Sequence, residues 1–201
     1  MEYYKNLITE KSFTLLQKLR REYDFILIGG WAVFLYTQAL KSKDIDVIVG
    51  YEVLEKMREK FTVIKNGRLK KYEINLEEID VDIYVPFYSD LGIPVEEVQK
   101  HTRNIEGFLV PRPEILLILK QRAYLERQGS AKGEKDKIDI LGMLQGVDLD
   151  FVFYKKILSK FDLIDYAKNL KHILQRTTAI PELNLNEFKT AKFKKKVLNQ
   201  F

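Results

Sequence analysis

The chain has 201 residues, 46% hydrophobic and 31% charged, with a formal net charge of +5. That balance suits one domain, or one domain with a helical extension, able to bury a real core, and the absence of cysteine excludes disulfides and thiolate metal sites. The longest apolar run, residues 25–36, is broken by two glycines and too short to cross a bilayer, and "MEYYKNLITEKSF" lacks the apolar stretch of a secretion signal, so a cytoplasmic protein without membrane association is expected.

Taken in chain order, Leu7, Ile8, Leu15, Leu16 and Leu19 predict a helix over 6–22. "DFILIGG" reads as a short buried strand ending in Gly29 and Gly30, Trp31–Leu40 as a helix, and "DIDVIVG" as a second strand. A helix over 51–60 follows. Two extended runs then flank Asn66-Gly67, a hairpin signal because both residues tolerate positive φ. "EIDVDIYVPF" alternates as a strand. After a loop with Gly92 and Pro94, "GFLVPRPEILLILKQRAYLERQ" reads as a strand and a helix, with Pro113 near the first helical turn. A polar loop, "GSAKGEK", leads to the helix "DKIDILGML", and helices are expected over about 149–160, 162–176 and 185–199. The front half is thus mixed and the back half helical, with the change near residue 112.

Side chains at i and i+2 of a strand leave the same face, so Asp44 and Asp46 point one way and Asp80 and Asp82 likewise. If the two strands are neighbours, three or four carboxylates converge. That arrangement is costly unless cations neutralise it, and hard divalent ions prefer such oxygen ligands. The bland reading is that Asp44 flanks its strand and Asp80 faces solvent. His101 and His172 lack ligand spacing, so zinc is not expected. Gly29-Gly30, closing a strand and opening a helix, lets backbone approach an anion at the positive end of the helix dipole. On the second half, Lys120 and Arg127 are spaced to share a helix face, either as a phosphate-binding pair or as a snorkelling lysine and a surface arginine. Asp136 either pairs with Lys120 or caps the helix that follows.

The strand, Gly-Gly, helix, Asp-x-Asp and later-acid pattern resembles the nucleotidyltransferase superfamily typified by DNA polymerase β. Gly29, Gly30, Asp44 and Asp46 carry the first two elements. The third acid is Asp82 or Asp80, with Asp82 preferred because it lies deeper in the apolar "VDIYV". Residues 110–144 are similar to the small prokaryotic branch that includes the abortive-infection toxin nucleotidyltransferases. Lys120 and Arg127 match its Lys-x6-Arg, Asp136 its following acid with Asp139 nearby, and Ser42 a small hydroxyl position. Many superfamily members carry serine where this chain has Gly30, so backbone amides would have to hold the phosphate alone.

The resemblance implies a mixed α/β fold, with a nucleotidyltransferase-like sheet flanked by helices over 1–111 and a helical bundle over 112–201. It implies transfer of a nucleoside monophosphate from an NTP, ATP among the candidates, to a hydroxyl of tRNA, protein or a small molecule. Mg²⁺, or Mn²⁺ in its place, would be held by Asp44, Asp46 and Asp82. Asp44, Asp46, Asp82 and Lys120 would be catalytic, and Gly29, Gly30, Ser42, Lys120, Arg127 and Asp136 would bind the nucleotide. A non-catalytic nucleotide- or RNA-binding module, for example part of a toxin–antitoxin pair, is the alternative. The five lysines against one glutamate of "EFKTAKFKKKVLNQF" make RNA a possible partner, beside an antitoxin or a second copy, with a solvated helix face as the bland reading.

Overall fold

The computed structural model describes residues 2–200, with side chains from Leu7 onward. Met1 and Phe201, the outer limits of the two regions anticipated from the sequence, lie outside the described residues. The chain divides into two compact units, one running up to Leu35 and resuming at Lys41–Arg112, the other made of Tyr36–Leu40 and the residues from Pro113 on.

The first unit contains α1 (Glu2–Glu22), β1 (Ile26–Ile28), the start of α2 (Gly29–Thr37), β2 (Ile45–Ile48), α3 (Tyr51–Lys60), β3 (Ile64–Asn66), β4 (Lys71–Leu76), β5 (Ile79–Tyr84), α4 (Val95–Lys100), β6 (Thr102–Ile105) and β7 (Phe108–Pro111). Its strands form a seven-stranded mixed sheet in the order β3-β4-β5-β2-β1-β7-β6. β2 lies inside it, antiparallel to β1 and parallel to β5. All three residues of β1 are buried, which is why its sequence is uninterrupted apolar. In β5, Ile79, Val81 and Ile83 are buried while Asp80, Asp82 and Tyr84 are half-buried on the other face. That alternation is the period of a strand with one apolar side.

α1 buries Ile8, Ser12, Leu16 and Leu19 at helical spacing, and Leu7 is exposed. Ser12 is buried because it has a partner: the Trp31 indole N–H donates to its Oγ at 2.9 Å. The single tryptophan therefore serves packing between α1 and α2, with Phe13 and Phe34 against its ring.

Two local readings change. The hairpin at Asn66-Gly67 exists, but its turn spans residues 67–70 and the left-handed residue is Lys70, at φ 47°. Asn66 contributes through its side chain, whose Oδ1 accepts from the Leu69 N–H at 3.0 Å. α4 and β6 occupy what reads as loop. Six residues of helix are too few to show a period. The β6–β7 hairpin turns on Glu106 and Gly107, both at positive φ (50° and 80°), with glutamate where asparagine or aspartate would have announced the turn.

The second unit is helical: α5 (Pro113–Glu126), α6 (Ala131–Gly146), α7 (Phe151–Lys160), α8 (Asp165–Arg176), a 3₁₀ turn at Pro181–Leu183 and α9 (Glu187–Leu198). α5 is its centre, packing on α6, α7 and α8. Ile115, Leu116, Leu117 and Ile118 are each 0% exposed, so the first half of this helix is enclosed on every side. The polar stretch read as loop before α6 is its first turns. Gly129 at φ 79° ends the preceding turn, and Ser130 caps α6 by accepting from the Gly133 N–H. Gln121, fully buried, accepts from the Tyr154 hydroxyl at 2.6 Å and donates to the Tyr166 carbonyl at 2.8 Å, tying α5 to α7 and α8. Among the described residues no helix is long and apolar enough to cross a membrane.

Candidate functional site

The β1–α2 junction has no loop: Ile28 ends the strand and Gly29 begins the helix. Gly29 sits at φ +66°, the left-handed region that glycine enters without steric cost. It is needed for a second reason. A Cβ at this position would stand 2.0 Å from Asp46 Oδ2 and 2.6 Å from its Cγ. The Asp46 carboxylate is therefore seated against the glycine backbone at the start of α2, where the helix dipole favours negative charge. The glycine makes room for the acid. Gly30 is buried in the first turn of α2, and Ser42 is buried in the segment before β2.

The parallel pairing of β2 with β5 sets Asp46 directly opposite Asp82. Register partners on neighbouring strands share a sheet face, so the two acids emerge side by side from different parts of the chain. At about 5 Å and an effective dielectric near 20, two such charges repel by about 3 kcal/mol, so the face needs a cation. The charge of Asp44 also acts on Asp82, which places that acid in the same electrostatic neighbourhood. Asp80 turns to β4, accepting from the Asn75 side-chain amide at 2.6 Å.

A cation is already supplied by the protein. Lys71, the first residue of β4, places its Nζ 2.6 Å from Asp82 Oδ2 and 3.0 Å from Glu73 Oε1. Glu73 stands opposite Asp82 across the β4–β5 pair and also accepts from the Asn66 side-chain amide at 2.9 Å. Burial pushes the Asp82 carboxyl above the ordinary carboxylate range; the hydrogen bond and charge of Lys71 oppose that shift, and the charges of Glu73 and Asp44 reinforce it. For Lys71 burial works downward, but the hydrogen bonds and charges of Asp82 and Glu73 outweigh it and hold the ammonium above its usual value. Neither Lys71 nor Glu73 stands out in the sequence. Their signal is the Lys-x-Glu alternation on β4, which acquires meaning only when the register with β5 is known.

Among the described residues, no group of three or more His, Cys, Asp or Glu gathers closely enough to enclose a metal ion. What the site offers is carboxylate oxygen along one sheet face, with Asp46 fixed against backbone. That donor chemistry fits Mg²⁺, which takes one or two carboxylates and keeps open positions for water and substrate phosphate, better than an ion needing a full protein cage.

The remaining predicted residues lie in the second unit. Lys120, 7% exposed, pairs with Asp139 Oδ2 at 2.6 Å and Asp136 Oδ1 at 3.2 Å. Arg127 pairs with Asp136 Oδ2 at 3.0 Å. Two cations, on α5 and in the turn after it, thus pair with two buried carboxylates of α6. Asp136 belongs to the body of α6, whose cap is Ser130, so of its two readings the ion pair is the one observed. Arg127 follows the last residue of α5 and does not extend the helix face of Lys120.

No family model matches the chain, and no curated protein matches it. Among solved structures it is similar to an antigenic nucleotidyltransferase-like protein from Paracoccidioides brasiliensis, at 18% identity and a TM-score of 0.45, over 83% of this chain and 91% of that one. It is also similar to JHP933 from Helicobacter pylori, at 16% identity and a TM-score of 0.45, over 98% of this chain and 94% of that one.

Proposed function

We propose that the chain is a nucleotidyltransferase, moving a nucleoside monophosphate from an NTP to a hydroxyl acceptor with release of pyrophosphate. The observation that carries this reading is Asp46 aligned with Asp82 on adjacent parallel strands, its carboxylate seated on Gly29 where β1 becomes α2. Asp44 and Asp46 would hold the divalent ion, Mg²⁺ or Mn²⁺, which when bound supplies charge neutralisation at phosphate and acidifies a hydroxyl. Backbone amides in the first turn of α2, from Gly30 on, would receive the triphosphate. With Asp82 Oδ2 tied to Lys71, Oδ1 is the oxygen assigned to take the acceptor's proton. The O–H bond breaks, the oxygen attacks the α-phosphorus, and the bond from phosphorus to its bridging oxygen breaks as pyrophosphate departs.

Lys120, Arg127 and Asp136 neutralise one another with Asp139, and the proposal gives them no step. Their match to the Lys-x6-Arg and following-acid pattern is what supports the abortive-infection toxin branch, and with it an antitoxin partner. RNA as acceptor is supported by α9, whose Lys189, Lys192, Lys195 and Lys196 are exposed.

The test is incubation with each labelled NTP and Mg²⁺ in the presence of tRNA, protein or small hydroxyl compounds, read by mass spectrometry for an added nucleotide. Asp46→Asn should lower transfer by about a hundredfold or more. Undiminished transfer in that variant ends the assignment. One observation favours a second reading, a non-catalytic nucleotide-binding module: Lys71 already neutralises the third acid. NTP affinity without incorporation into any acceptor would select it.

A further inference from the structure

We infer that Lys71 is a resident counter-cation that takes the place of a second metal ion, so that the acid face admits a single divalent ion, at Asp44 and Asp46. This rests on the metal-assisted reading above and specifies how many ions that site accepts. Lys71 is a positioning residue in this scheme; it fixes Asp82 and Glu73 on the sheet face.

The contact is built rather than incidental. The Lys71 side chain is 13% exposed and that of Asp82 17%, so the pair is largely withdrawn from water and from the screening that makes surface pairs weak. The antiparallel register of β4 with β5 fixes the approach, placing Glu73 opposite Asp82 and Lys71 two residues away on the same face. Asn66 braces Glu73 from β3. An ammonium so placed occupies an Asp82 oxygen and adds a positive charge that a divalent ion on the same carboxylate would have to displace. Asp80 is directed toward β4 instead, its Oδ1 accepting from the Asn75 side-chain amide. The acids the reading assigns to an ion are Asp46 of β2 and Asp44 immediately before it; those that Lys71 holds come from β4 and β5.

The experiment is a titration with Mn²⁺ in the absence of nucleotide, counting bound ions by the electron paramagnetic resonance signal of the free ion. In the unmodified protein a single Mn²⁺ should bind. Asp46→Asn should lose it, while Asp82→Asn should still bind a single Mn²⁺, more weakly because a neighbouring negative charge is gone, since Asp82 is not its ligand. Lys71→Met should gain a second ion, or bind Mn²⁺ at least about tenfold more tightly, as an unpaired buried carboxylate becomes a ligand. Lys71→Arg, which keeps the charge, should count ions as the unmodified protein does. Should Lys71→Met fail to fold, as judged by circular dichroism, the Asp82→Asn and Lys71→Arg titrations still decide.

Two Mn²⁺ ions in the unmodified protein, loss of binding in Asp82→Asn, or no change in a folded Lys71→Met would overturn the role of Lys71 and leave the transferase reading standing. Failure of both the unmodified protein and Lys71→Met to bind Mn²⁺ would remove the metal site itself, and the inference with it.

Discussion

Gly29→Ala tests the geometry on which the site depends. Gly29 is at φ +66°, and an alanine Cβ would meet Asp46 at 2.0 Å (Oδ2), 2.6 Å (Cγ) and 2.8 Å (Cβ). Rotating the carboxylate relieves the first contact but not the last, so the β2 backbone must give. The left-handed conformation alone costs an alanine about 1–2 kcal/mol. Displacing a strand that is hydrogen-bonded on both sides adds about 1–3 kcal/mol, as overpacking in a close-packed interior does. The expected loss is about 3 kcal/mol, a fall in Tm of roughly 6–12 °C for a chain of this size. Urea unfolding followed by circular dichroism measures it. The same substitution in an Asp46→Gly background should cost only the backbone part, about 1–2 kcal/mol, since the side chain it strikes is gone. Equal costs in the two backgrounds, or a loss under about 0.5 kcal/mol in the first, would refute the reasoning.

Lys120→Met should destabilise the protein by about 3–5 kcal/mol, because it leaves Asp136 and Asp139 buried with a cation removed. Adding Asp139→Asn should recover part of that loss in the same urea series; strict additivity of the two changes would mean that the pair is not coupled. Burial pushes the Tyr154 phenol well above its ordinary 10.0, with the Gln121 hydrogen bond opposing that only in part. The folded protein then keeps a proton that the unfolded chain releases, so this contribution to stability is intact below pH about 10 and falls as pH rises beyond it. Tyr154→Phe should flatten that fall, and identical alkaline slopes would count against the buried phenol. Trp31→Phe removes the donor to Ser12 and should cost about 1–3 kcal/mol by thermal unfolding, with Ser12→Ala restoring part of it in the double variant.

The strand-glycine-helix reading is legible from local rules, apolar continuity for β1 and positive φ for glycine, and a period of two gives the faces of β2 and β5, although β2 begins at Ile45 and leaves Asp44 just outside the strand. Which acid faces which was not local. Asp46 meets Asp82 because β2 and β5 are parallel neighbours, although α3 and the β3–β4 hairpin separate them in sequence. Lys71 was invisible for the same reason, since a lysine at a strand start is ordinarily a solvated end. The purpose of Gly29 was half legible: its conformational freedom could be anticipated, but the chemical group it accommodates could not. In the helical half, spacing alone put Arg127 on the face of Lys120, whereas the chain leaves the helix at Glu126 and the arginine reaches Asp136 from the turn. The start of α6 is hidden from the sequence because its cap, Ser130, follows a positive-φ glycine so closely that the segment has the composition of a loop.

The five residues Tyr36–Leu40 gather with the chain from Pro113 onward, though they are made long before it. During synthesis they leave the ribosome with their neighbours still unwritten, so α2 must emerge with its last turn waiting for partners. A fragment ending at Arg112 would carry those residues without the rest of their unit, and one starting at Pro113 would lack them, so a cut at residue 112 leaves the second unit incomplete.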